Sequence, residues 1–197
     1  MRVWVVSFGG VGCSYIFSQL AKSKISTNHP HDIDSLKHLY SPMSTKYSEH
    51  IDKFDKIIYI YNDPLLAILS HLKRGWLFAQ HRKISGAKVT GNPAILTSDV
   101  CKNYIEFEKH TLSINKDQFG CSTHFEEWYN YEHKKPILFI DFREKTFKHQ
   151  IQCFLDSPVK FQLKQRNSNK NCCKYDMIAI YDDIDTKIQN KIQLLRA

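Results

Sequence analysis

Three short runs of continuously apolar, β-branched and aromatic residues stand out along a chain that is otherwise mixed. They are Arg-Val-Trp-Val-Val-Ser-Phe at 2–8, Lys-Ile-Ile-Tyr-Ile-Tyr at 56–61 and Pro-Ile-Leu-Phe-Ile-Asp at 136–141. None alternates polar with apolar positions, which is the pattern of strands covered on both faces. Between them apolar residues recur at helical spacing. Tyr15, Ile16, Phe17 and Leu20 predict a helix from Cys13 to about Ser23. Asp63-Pro64 pairs a good N-cap with a favoured first helical residue, and Leu65, Leu66, Ile68, Leu69 and Leu72 supply the face that follows.

The remaining segments are less regular. A brief strand is predicted at 25–27, and 33–54 reads as irregular with at most a short helix at 35–39. A long loop with some helix is predicted for 75–97. Helices follow at 98–115, 124–131 and 144–155, then a loop at 164–174 and a closing helix from Tyr175 or Asp182 to Leu195. Strand followed by helix, repeated, predicts an α/β fold with a parallel sheet between two helix layers (three-layer αβα). Neither a repeat nor a linker divides it, so 1–197 reads as one domain. In such sheets ligands bind beyond the carboxyl ends of the strands. That directs attention to Phe8–Ser14, Asn28–Asp32 and Asn62–Asp63.

Composition narrows the classes. The net charge is +8, but the lysines are spread along the chain and form no basic block. With no nucleic-acid-binding motif, this argues for a pocket for a small polyanion and against nucleic acid. No run approaches the roughly 18 apolar residues of a membrane helix. The N-terminus lacks the pattern of a signal peptide. Cys13, Cys101, Cys121, Cys153, Cys172 and Cys173 make no CxxC pair, so reduced thiols in a cytoplasmic compartment are expected, without a metal site.

The chemistry begins at Phe8-Gly9-Gly10-Val11-Gly12-Cys13-Ser14. A glycine turn between a strand and a helix lets successive N–H groups point at a phosphate. It is not a Walker A loop, because no lysine follows Gly12. Asn62-Asp63-Pro64 follows the second apolar run, with Ser70 eight residues after Asn62.

These positions resemble the sulfotransferase family, whose fold is P-loop NTPase-like. There Tyr-Pro-Lys-Ser-Gly-Thr-Thr-Trp follows the first strand and holds the 5′-phosphosulfate of 3′-phosphoadenosine-5′-phosphosulfate (PAPS). Phe8–Tyr15 aligns with it without gaps. The family's second motif, Arg-Asn-Pro with a serine eight residues on, grips the 3′-phosphate and is similar to Asn62–Ser70. Phe125-Glu126-Glu127-Trp128, the strand end Asp141-Phe142 and Tyr181–Asp185 follow the family's later order and spacing.

The resemblance implies sulfuryl transfer from PAPS to a hydroxyl of a sugar, lipid or other small-molecule acceptor, without a metal. Gly10 stands where the family has a catalytic lysine, and Asn62 where it has an arginine. Lys73, Arg74 and Arg166 are the candidates to supply the missing charge. One of His29 and His31 is the expected proton acceptor, since two residues two apart on an extended segment point to opposite sides. Asp32 is placed to orient it. The segment 75–97, with Trp76, Phe78, Arg82 and Lys83, is expected to contribute to the acceptor pocket. Two alternatives stand beside this reading: a non-catalytic binding module on the same fold, and a P-loop nucleotide kinase.

Overall fold

A computed structural model of the chain describes residues 1–86, 96–162 and 175–195. Its centre is a four-stranded, wholly parallel sheet of order β2-β1-β3-β4, formed by β1 (Arg2–Val6), β2 (Ser26–Thr27), β3 (Lys56–Tyr61) and β4 (Ile137–Asp141). The three apolar runs are therefore β1, β3 and β4. From Val3 to Val6 and from Ile57 to Tyr61 every residue is buried, as unalternating sequence requires.

Helix α1 (Cys13–Lys22) links β1 to β2 on one side of β1, whereas the connection from β3 to β4 runs the other way. Right-handed crossovers in opposite directions put helices on opposite faces of the sheet, giving three layers. The reversal also creates a switch point between the carboxyl ends of β1 and β3. There α3 (Pro64–Lys73) begins, capped by the Asp63 carboxylate, which accepts from Leu66 N at 3.0 Å.

Several expected elements are displaced. No helix forms at 35–39, and within the segment read as irregular α2 (Thr45–His50) forms, capped by Ser44. Helix α4 covers Leu77–Ile84, and α5 (Tyr104–Ile114) starts only where Asn103 can accept from Glu106 N. Helices α6 (Cys121–Tyr129), α7 (Phe147–Leu155) and α8 (Tyr175–Leu194) complete the described chain. None of the described helices is long and apolar enough to cross a membrane.

Two features hold the β3–β4 side. Aromatic rings of Trp4, Tyr59, Phe125, Trp128 and Phe139 pack with centroids 5.2–6.3 Å apart. Among them His124 is fully buried, with Nδ1 2.9 Å from the Tyr59 hydroxyl and Nε2 2.9 Å from the Leu39 carbonyl. At the carboxyl end of β4, Arg143 binds Asp141 and reaches Asp185 of α8 at 2.6 Å. Tyr61 donates to the same Asp185 at 2.6 Å. The end of β4 and the closing helix thus meet in a structural clamp.

Candidate functional site at the switch point

The loop after β1 is tied down from within. Ser7 Oγ accepts from Gly9 N at 3.1 Å and lies 2.8 Å from Cys13 Sγ, while Gln80 of α4 donates to the Phe8 carbonyl at 2.8 Å. Phe8, Val11 and Cys13 turn inward as anchors, and burial pushes the Cys13 thiol up, away from a reactive thiolate. Gly9, Gly10 and Gly12 take φ of 96°, 71° and 97°, left-handed values that turn the backbone back on itself. Helix α1 has no side-chain cap. Among the described residues, the N–H groups of Gly10, Val11, Gly12 and Ser14 have no acceptor. Gly10 and Ser14 are exposed, so part of this donor set faces solvent at a helix N-terminus.

Helix α3 closes over the loop. A Cβ at Gly10 would lie 2.8 Å from both Cα and O of Ala67, and one at Gly9 2.8 Å from Nε2 of His71. Ala67, Ser70, His71 and Arg74 share one helical face. On it Arg74 donates to the Ser70 carbonyl at 2.8 Å and to the Ser70 hydroxyl at 2.9 Å, and stacks over Trp76 at 4.8 Å. The sheet and helix therefore bring together the loop 8–14, Asn62, Ser70 and Arg74. Asn62 is half-buried, its Oδ1 accepting from Asp63 N at 2.8 Å. Lys73 is exposed, and Arg166 lies outside the described residues.

The histidines are arranged differently from the sequence expectation. Residues 29–32 do not run extended: Asp32 N bonds the His29 carbonyl at 3.0 Å, and Asp32 takes φ 59°. This turn brings the rings of His29 and His31 within 5.8 Å, where an extended segment would separate them. His29 Nδ1 accepts from His31 N at 3.2 Å. Asp32 orients neither ring; its carboxylate binds Lys37 N at 2.9 Å and Lys83 Nζ at 2.5 Å.

A histidine outside the motifs takes the inner position. Asn28 pairs with both N and O of Val5, at 2.7 and 3.1 Å, and so continues the β2 edge with a side chain. The following segment then passes over the end of β1, where Ser7 N bonds the Lys37 carbonyl at 3.1 Å and His38 Nδ1 meets the Ser7 carbonyl at 2.8 Å. A carbonyl only accepts, so Nδ1 carries the proton and Nε2 keeps its lone pair. His38 lines a cleft of about 270 Å³ with Asp32, Ser35, Tyr40, Lys46 and Lys83. Burial, followed by the charges of Lys37 and Lys83, drives its pKa well below the ordinary histidine value. His71 is lowered to about 3 by burial, then by Arg74, Lys37 and Lys83. Three cations thus bear on the backbone that follows β1. Nothing in the motif spacing singled out His38; the flanking Leu36 and Leu39, both buried, were the one available cue.

The described residues contain no group of three metal-ligating side chains. No protein-family model matches the chain, and comparison with curated proteins and with solved structures gave no match.

Proposed function

We propose that this chain is a PAPS-dependent sulfotransferase on a P-loop NTPase-like fold. One observation carries the reading: a glycine loop with open N–H groups lies against the helix face that presents Ser70 and Arg74. The loop from Phe8 to Ser14 would hold the 5′-phosphosulfate. Ser70 and Arg74, with the side-chain amide of Asn62, would hold the 3′-phosphate, Arg74 replacing the charge that Asn62 lacks. A guanidinium beside a hydroxyl suits phosphate oxygens.

Two features adapt the family scheme. No side chain fits at Gly10, so a lysine there is excluded by the Ala67 backbone. Lys37 and Lys83, whose charges act on His38 and His71, are the candidate substitutes. His38 is better placed than His29 or His31 to take a proton, because Nδ1 is held by the Ser7 carbonyl at the end of β1 and the residue lines the cleft beside the loop. His38 Nε2 takes the hydroxyl proton as the acceptor oxygen bonds sulfur. The sulfur–oxygen bond to the 5′-phosphate opens at the same time, its electron pair staying on that phosphate.

The closed position at Gly10 also favours a second reading, nucleotide binding without catalysis. Calorimetric titration with 3′-phosphoadenosine-5′-phosphate, with ATP in parallel, tests both. Micromolar binding that Ser70→Ala abolishes, with none for ATP, supports the donor site; turnover of PAPS then separates enzyme from binding module. Absence of binding overturns both readings.

A further inference from the structure

The cleft beside His38 has a composition that selects its occupant. Its charged lining is Lys46, Lys83 and Asp32, and Lys83 is already matched by Asp32 at 2.5 Å. Among the described residues Lys46 reaches only the Asp34 carbonyl, at 3.4 Å. One ammonium is left without a counter-charge, which suits a monoanion better than a phosphate dianion. The lining also includes the Tyr40 ring, seated against Gly86 so closely that a Cβ there would lie 2.9 Å from it. An aromatic face, a serine hydroxyl and the imidazole of His38 suit a small ring bearing hydroxyls. The volume, about 270 Å³, falls just below the usual range for ligand sites (roughly 300 Å³ upward), which limits the occupant to a single ring.

The walls are also held in place. Asp32 and Ser35 sit at φ 59° and 57°, left-handed positions for residues with side chains. Residues with side chains keep such positions only where the surroundings hold them there. They are fixed here by a web of bonds: Asp34 accepts from His29 N and Leu36 N, Asp32 from Lys37 N, and Lys37 donates to the Pro30 carbonyl. A segment strained and pinned in this way keeps its shape before any ligand arrives.

We propose that the cleft lined by Lys46, Tyr40, Ser35 and His38 binds a hydroxylated carboxylate of single-ring size, such as a sugar acid, its carboxylate on Lys46 and a hydroxyl toward His38 Nε2. Its use as the acceptor site rests on the sulfotransferase reading; its binding does not. The test is calorimetric titration of the full chain with D-glucuronate and with D-glucose, no nucleotide present. The carboxylate should bind roughly three- to fivefold more tightly, the strength of a partly exposed ion pair. Lys46→Gln should erase that preference, while Ser70→Ala should leave it unchanged. Equal binding of the two sugars, no binding of either, or a preference that survives Lys46→Gln overturns the proposal. A failure to bind 3′-phosphoadenosine-5′-phosphate, by contrast, overturns only the donor assignment.

Discussion

Two buried histidines, both at the segment 38–39, differ in how their nitrogens are used. His124, in the aromatic layer against β3, has both nitrogens bonded, to Tyr59 and to Leu39. His38, at the end of β1, has one nitrogen bonded to Ser7 and its other edge on a cleft. The contrast extends to their surroundings. Around β3 and β4, Arg143, Asp141, Asp185 and Tyr61 answer one another. Around β1, among the described residues, the N–H groups of Gly10, Val11, Gly12 and Ser14 have no acceptor. Saturated polar groups hold a core together, and unsaturated ones held rigidly are available for chemistry.

The sharpest way to break the comparison is to unsaturate the saturated side. Arg143→Ala leaves Asp141 and Asp185 facing each other with little access to water. Removing one partner of such a buried network costs about 3–5 kcal/mol. Urea unfolding should show that loss, and a change below about 1 kcal/mol would mean the clamp is solvated. The open side should respond differently to an added side chain. Gly10→Lys should destabilise by about 1–3 kcal/mol from backbone strain alone, before the overlap with Ala67 is counted. A Gly10→Lys variant as stable as the parent would show that α3 can yield and that position 10 is open.

Much of the first region was legible because its chemistry is local. Unalternating runs fixed β1, β3 and β4, and Asp63-Pro64 marked the start of α3 to the residue. The glycine loop and Ser70 were legible for the same reason, being strand ends and helix faces. The segment from Asn28 to Lys46 was not. Its conformation comes from Asx-type bonds and from Asn28 imitating a strand edge, which leave no periodicity. An extended reading of His29-Pro30-His31 followed, and a left-handed Asp32 overturned it. His38 had no motif around it, so only tertiary structure could bring it to the site.

Acid should erode both regions together. His71 and His124 are each lowered to about 3 from an ordinary value of 6.5. In the unfolded chain they take up protons as the pH falls through about 6.5, while the folded chain refuses them until about 3. Their contribution is therefore complete above the unfolded value and is lost as the pH falls. The slope is about 1.4 kcal/mol per pH unit for each histidine within that window. Chemical denaturation at a series of pH values should show the slope, and His124→Gln should remove its share. A flat profile between pH 6 and 4 would mean that neither ring is buried neutral.

The smallest effect on stability carries the most about chemistry. In His38→Asn the amide nitrogen takes the place of Nδ1 and can still donate to the Ser7 carbonyl, while Nε2 is lost. The exchange should cost less than about 1 kcal/mol, since no buried acceptor is left unpaired. His124→Asn cannot replace both bonds at once and should cost about 1–3 kcal/mol. Turnover should show the reverse ranking, falling about 10²–10⁴-fold for His38→Asn if Nε2 takes the acceptor's proton. Nitrogen-15 spectra of the histidine rings give the same comparison without an acceptor in hand. His38 should carry its proton on Nδ1, facing a carbonyl, and His124 on Nε2, facing another. A proton on Nε2 of His38 would turn a donor toward the cleft, and the role of base would then have to pass to a different group.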